Sequence, residues 1–193
     1  MTLTNNSKRR KELVAIAARL FFEQGYERTT VRILAEAMGI KSGSLFHHFT
    51  DKQAILCAVI ESGMQSAMQI AHEALEGVQD PQDKLLALTK AHLSTLLTDR
   101  NAHVVALYEW RSLTPESLHH LVGLRDEYES LWRSVIQECI QADVLHGEES
   151  VVRHFALGAL NWTVQWYDPQ GQRTPDDLAL ALVNLLMDRT HFN

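Results

Sequence analysis

Two adjacent histidines, His47 and His48, stand between phenylalanines in the stretch SGSLFHHFTDK, residues 42–52. Histidine ligates metals and moves protons near neutral pH, so chelation and general-base catalysis are the first chemistries to weigh. Chelation from one helix wants ligands three or four residues apart, which share a face. Adjacent residues on a helix diverge by about 100°. The second adjacent pair, His119-His120, fails in the same way, and no two of the ten histidines are three or four apart. Neither HExxH nor CxxC occurs. A general base needs a polar partner held in a cleft, and this stretch offers none, so no metal and no cofactor is expected. A contact surface remains. Ser42, Gly43 and Ser44 are small enough to bring a helix start close to phosphates and base edges. Leu45 and Phe49, four apart, point inward and anchor the helix, which leaves Phe46 and His47 outside. His48 has two readings, a contact residue or a packed one. Lys52 offers a cation to an external anion.

The elements that position these residues form a helix-turn-helix. Thr30 is the expected N-cap of a helix over Val31–Met38, with Val31, Leu34, Ala35 and Met38 inward. Gly39-Ile40-Lys41 makes the turn, and a second helix runs from Ser42 to about His48. In such units the second helix enters the DNA major groove and the first braces it. Charge agrees. Residues 1–50 hold eight Lys/Arg against four Glu, net +4, while the remainder is net −10. A polyanion therefore faces only the first quarter of a chain whose total is −6. The basic run Ser7–Lys11, SKRRK, reads as a loose arm adding nonspecific attraction.

The rest is helical by periodicity, so the fold class is all-α with about nine helices. Leu13, Ile16, Ala17, Leu20 and Phe21 share one face of a first helix that closes at Gly25. Asp51 caps a long helix to about Glu76. Asp80-Pro81, Thr114-Pro115 and Thr174-Pro175 each place a cap residue before a proline at the first helical position. The last two helices, Glu148–Trp166 and Pro175–Met187, are apolar on more than one stripe, which means burial on two sides. One reading is a central helix in a monomer. The favoured one is a four-helix dimer interface carrying Phe155, Ala159, Trp162, Trp166, Leu182 and Leu186, with Gly158-Ala159 permitting close approach. Cys57 and Cys139 read as buried free thiols in a reducing cytoplasm. No apolar run approaches the roughly 20 residues of a bilayer span, so no membrane partner is expected. GxSxG, P-loop and dinucleotide fingerprints are absent, and the chain reads as no enzyme.

The residues AARLFFEQGYERTTVRILAEAMGIKSGSLFHHFTDKQAIL carry a resemblance. Residues 8–56 resemble the DNA-binding domain of the TetR family of bacterial transcriptional regulators. The resemblance implies a homodimer binding a palindromic operator, with a DNA-binding domain over 1–52 and a helical effector-binding and dimerisation domain over 53–193. It implies phosphate contacts from Thr29, Thr30 and Lys52, a recognition helix opened by Lys41, Ser42, Gly43 and Ser44, and Phe46, His47 and His48 along it. Phe46 stands where the family usually has Tyr, so a hydroxyl-to-phosphate bond is lost. Lys41 stands where a capping Ser or Thr is common, so Ser42 is expected to take the cap and shift the helix start. The second domain should hold a small hydrophobic effector, with Met64, Met68, Leu107, Trp110, Tyr128 and Trp132 as liners or as plain core. Arg111 and Arg125 are either ion pairs with Glu109, Asp126 or Glu129, or ligand partners. The segments EWRSLTPE, LRDEYESLWRSVI and GALNWTVQWYDPQG resemble the subgroup answering to acyl-CoA thioesters, which would give Arg111, Arg125 or Arg133 a phosphate or carboxylate. The acidic remainder suits a cationic or neutral drug-like ligand instead. A third alternative is control by a protein partner with no small-molecule ligand.

Overall fold

Helix caps and glycine stops set the element boundaries. The computed structural model describes residues 2–98 and 100–187. Among them are nine α-helices, one 3-10 turn and no strand. The helices are α1 (Thr2–Gln24), α2 (Val31–Ala37), α3 (Ser42–Leu45), α4 (Lys52–Leu75), α5 (Pro81–Leu97), α6 (Arg100–Tyr108), α7 (Pro115–Gln141), α8 (Glu149–Trp166) and α9 (Pro175–Met187), with the 3-10 turn at Glu109–Ser112. Thr30 Oγ1 accepts from the Ile33 amide at 3.2 Å, Asp51 Oδ1 from Ala54 at 2.8 Å and Asp80 Oδ1 from Gln82 at 2.9 Å. At α9 the cap is reciprocal: Thr174 Oγ1 accepts from the Asp177 amide, while Asp177 Oδ2 accepts from the Thr174 amide and hydroxyl. Those hydrogen bonds from Thr174 hold the Asp177 carboxyl below the usual carboxylate range. Gly39, at φ +65°, reverses the chain between α2 and α3 in a conformation L side chains rarely adopt.

By packing the chain forms two compact units, Met1–Gln65 with Arg100–Arg125, and Ser66–Asp99 with Asp126–Asn193. The first is built on one apolar cluster: Leu13, Ala17 and Phe21 of α1, Leu34 of α2, Leu45 of α3, Ile55, Leu56 and Val59 of α4, Val105 of α6 and Leu121 of α7. In the second, α5 packs on α8 and α9. Its buried residues include Leu85, Leu88, Leu93, Trp132, Ile136, Ala156, Leu160, Ala179 and Val183. Both cysteines are free thiols, Cys139 buried and Cys57 half-buried. α4 has the length and composition of a bilayer span, with a mean hydropathy of 1.2. Much of that apolarity is spent in the core of the first unit, through Ile55, Leu56, Val59 and Ile60.

Two expectations need correction here. Residues 8–11 are no loose arm but part of α1, and Ser7's side chain lies outside the described residues. Arg9 donates to the Glu12 carboxylate at 3.0 Å and to the Met38 carbonyl, at the end of α2, at 2.9 Å. Arg10 lies over the Phe49 ring, 4.9 Å from its centroid. Half of the arm's arginine and lysine charge thus braces the helix-turn-helix. The recognition helix is also shorter than expected. Its α-helical run stops at Leu45, because the His47 and His48 amides bond three residues back, to Ser44 and Leu45, instead of four.

At Gly63, α4 lies close to α6. A Cβ there would sit 2.9 Å from the Ala102 carbonyl oxygen. Gly63→Ala should therefore lower stability by about 1–3 kcal/mol, read as a fall in denaturation midpoint. Gly123→Ala in α7, with open space around it, should instead be neutral or stabilising by up to about 1 kcal/mol.

Candidate nucleic-acid interface and the polar groups behind it

Each residue of the expected contact set can now be placed. Lys41 is the N-cap of α3 in an extended conformation, and its side chain makes no capping bond. Ser42 is the first helical residue, so the expected shift of the cap to Ser42 does not occur. Lys41, Ser42 and Gly43 are exposed and Ser44 is half-buried. Leu45 and Phe49 are buried, at 1% and 4% exposure, and act as the two anchors. Their direction turns Phe46 out to 52% exposure, with His47 exposed beside it and His48 half-buried. Thr30 is exposed at the head of α2, where its hydroxyl is occupied as the cap.

Thr29 and Lys52 depart from expectation. Thr29 is fully buried, and its hydroxyl donates to the Gly25 carbonyl at 2.8 Å. It closes the α1–α2 loop and has no surface for a phosphate. Lys52 is half-buried, with Nζ 3.9 Å from the Tyr26 ring centroid and donating to the Glu27 carbonyl at 3.4 Å. Its charge is held against the loop rather than free above it. Sequence reasoning missed Arg28 and Arg32, which are exposed on either side of Thr30. The charge excess of residues 1–50 was the signal for them.

Behind this face lies a polar cluster that sequence spacing does not reveal. Gln53, in the first turn of α4, donates to the Tyr26 hydroxyl at 3.0 Å and to the Ser112 carbonyl. Its Oε1 accepts from the Thr114 amide at 3.3 Å. Glu109 accepts from the Tyr26 amide at 3.2 Å and from the Ser112 hydroxyl at 2.7 Å. The α1–α2 loop is thereby tied to the corner before α7. Burial raises the Tyr26 phenol above its ordinary pKa, against the opposing hydrogen bond from Gln53.

The expected effector residues separate. Met64, Leu107, Trp110, Arg111 and Arg125 belong to the first unit, and Met68, Tyr128 and Trp132 to the second. Met64, Trp110, Leu107 and Met68 are half-buried, and Met64 and Trp110 pack on the first unit's core. Arg111 is exposed. The exposed Arg125 lies over the Trp110 ring at 5.1 Å, so those two are brought together. In the second unit His92 gathers the aromatics. Its Nδ1 is 2.8 Å from the Tyr128 hydroxyl and its Nε2 3.1 Å from Asn161 Oδ1, with the Trp132 ring edge-on at 5.7 Å. The Asn161 oxygen places the proton on Nε2, so Nδ1 accepts from Tyr128. Tyr128 keeps some surface on its ring, but burial of its hydroxyl end pushes the phenol up to about 12, opposed weakly by the Trp132 indole. Nearby in sequence, the buried Arg153 donates to Glu129 at 2.6 Å and to Glu149 at 2.8 Å, and Arg133 lies 3.8 Å from Glu149. A groove of about 530 Å³ in the same unit is lined by His72, Glu73, Glu76, Lys84 and Glu138, with Lys84 paired to Glu138 at 2.6 Å.

On α8 one face packs inward through Ala156, Leu160 and Thr163. The opposite face leaves Phe155 73% and Trp162 61% exposed, with Val151 and Trp166 beside them. Ala159 and Gly158 are exposed too. On α9, Leu182 and Leu186 are half-buried, whereas Leu180 and Leu185 carry the greater exposure.

Residues 13–59 match the family model described as bacterial regulatory proteins, tetR family, and residues 78–190 the one described as tetracyclin repressor-like, C-terminal domain. The chain is 30% identical over 190 residues to the HTH-type transcriptional repressor KstR2 of Rhodococcus jostii strain RHA1, covering 96% of this chain and 92% of that protein. It is similar to the solved structure of superantigen PfiT, with TM-score 0.82 and 38% identity over 94% of this chain and 97% of that one. AibR, solved in complex with isovaleryl coenzyme A and operator DNA, shares the fold with TM-score 0.86 at 23% identity, covering 93% and 98% of the two chains.

Gln53→Leu keeps the volume of the Gln53 side chain and removes all three of its hydrogen bonds. It should cost about 1–3 kcal/mol through the groups left unpaired, measured by urea denaturation. Tyr26→Phe, which loses one of them, should cost less, about 1 kcal/mol.

Proposed function

The chain belongs to the tetR family of bacterial regulatory proteins and is a ligand-responsive transcriptional repressor, and from that premise we propose how it works. Residues 1–52 are the DNA-binding head and 53–193 the effector-binding and dimerising part of a cytoplasmic homodimer. The observation that carries the reading is the outward set Lys41, Ser42, Gly43, Phe46 and His47, held on a short helix by two buried anchors. Ser42 and Gly43 let the α3 start approach phosphates, and His47 reads a base edge. Thr30, Arg28 and Arg32 meet the backbone. Phe46 contributes apolar contact, lacking a hydroxyl. Two copies joined through Phe155, Ala159, Trp162 and Trp166 present two α3 helices to half-sites about 34–36 Å apart. A small hydrophobic effector alters that separation and releases the operator.

An acyl-CoA or fatty-acid-like metabolite is the effector class we favour. The second-domain segments quoted above support it, as does the AibR complex with isovaleryl coenzyme A. The acidic groove at Glu73, Glu76 and Glu138 favours a cationic or neutral drug-like compound as the second reading. Control by a protein partner is the third. Tryptophan fluorescence during titration with acyl-CoAs and with cationic dyes separates them, and silence towards both leaves the protein partner.

Gel-shift measurements on the DNA upstream of the protein's own gene should show a retained, ligand-releasable band. Retention of no DNA at any salt concentration would sink the reading. With about four to six phosphates neutralised per half-site, log K should fall with log salt at a slope of about −4 to −5 per half-site. His47→Ala should weaken operator binding about tenfold and relax sequence preference, consistent with about 1–3 kcal/mol per base contact. Trp162→Glu should shift the sedimenting species from dimer to monomer.

A further inference from the structure

The His92 cluster is an unusual thing to find inside the second unit. Four polar side chains from three helices meet there: His92 of α5, Tyr128 and Trp132 of α7, and Asn161 of α8. His92 and Trp132 are buried, and Tyr128 and Asn161 are half-buried, so the cluster keeps some surface through the last two. His92 and Tyr128 satisfy each other, and Asn161 completes the histidine. The indole N–H of Trp132 is buried and leans on the Tyr128 oxygen without making a hydrogen bond of good geometry. A buried donor without a well-formed partner is costly. Phenylalanine would supply an apolar ring without that cost, so the donor needs a reason for being there.

The chemistry of the cluster limits what could complete it. None of the four side chains carries a charge in the tautomer that the hydrogen bonds define. A carboxylate or phosphate brought here would be a charge without a counter-charge, which burial penalises far more than a neutral dipole. What the cluster can pay for is a neutral oxygen. Trp132 Nε1–H offers a donor. The Tyr128 oxygen, whose proton is given to His92, keeps lone pairs for an incoming hydroxyl. We infer that Trp132 and Tyr128 form the polar end of the effector site, where they read an uncharged carbonyl or hydroxyl oxygen on an otherwise apolar effector. His92 is a positioning residue, holding the Tyr128 hydroxyl in one orientation, with Asn161 fixing the histidine ring. The inference rests on the ligand-responsive reading above and names the chemistry of its ligand. In an acyl-CoA, the group read is a carbonyl or hydroxyl of the acyl portion, with the coenzyme's phosphates outside this cluster.

Trp132→Phe and 2-undecanone, a neutral ketone on an apolar chain, test this with two independent measurements. Calorimetric titration should show the ketone binding the native protein about tenfold more tightly than the variant, the factor expected of one hydrogen bond. Urea denaturation of the ligand-free proteins should show Trp132→Phe still folding cooperatively, with a midpoint lowered only by the small cavity that the smaller ring leaves. Equal affinity for both proteins, or no binding by either, overturns the proposal. Ketone binding that is lost in the variant but releases no operator DNA leaves the site standing and removes the effector reading instead.

Discussion

A helix of four residues cannot hold itself. Nucleating one fixes several backbone dihedrals before any hydrogen bond repays the loss, and isolated helices shorter than about 12 residues are marginal even in favourable sequences. α3 exists because Leu45 and Phe49 are driven into the apolar cluster of α1, α2 and α4, and their burial sets which way Phe46 and His47 point. Much around α3 serves that placement. Arg9 closes the end of α2 at the Met38 carbonyl, Arg10 covers Phe49 from outside, and Thr29 ties the preceding loop to Gly25. Basic residues near the contact face are therefore of two kinds, those that brace the face and those that remain exposed on it.

That division explains what could be read in advance and what could not. The caps at Thr30, Asp51, Asp80 and Thr174 were legible because the donor and acceptor lie within three residues of each other. The inward direction of Leu45 and Phe49 followed from their spacing. The burial of Thr29 and the partial burial of Lys52 were not legible because exposure depends on neighbours brought by folding: Gly25 for the threonine, the Tyr26 ring for the lysine. The same holds for Leu185, which periodicity could not rank above Leu182 and Leu186 in exposure. The joining of His92 to Tyr128 and Asn161 spans 36 and 69 residues of sequence, and no local pattern announces it. Arg125 was expected either to meet a carboxylate or to serve a ligand, and its guanidinium also lies over the Trp110 ring, a contact that spacing alone does not announce.

Each unit pairs interior polar groups from distant parts of the sequence. In the first, Gln53 uses both its donor and its acceptor functions and Glu109 uses both its oxygens, so the loop-to-corner tie is closed upon itself. In the second, Arg153 is likewise matched on two sides by Glu129 and Glu149. The aromatic group around His92 contains a buried donor, Trp132 Nε1, without a well-formed hydrogen bond after its neighbours have been paired. A satisfied network resists change because every rearrangement must break something, and a donor without a well-formed bond has little to break.

Gly63 carries a mechanical meaning as well as a steric one. Where helices touch through side chains, a displacement of one is cushioned by small rotations about χ angles before it reaches the other. With so little room between Gly63 and the Ala102 carbonyl, α4 and α6 meet nearly backbone to backbone at this point. Such a contact has low compliance: few soft torsions lie in the path, and a close-packed interior passes strain on instead of storing it. A push on α6 near Ala102 would be felt in α4 almost undiminished, some eleven residues from the turn that begins just after the recognition helix and its anchoring Phe49.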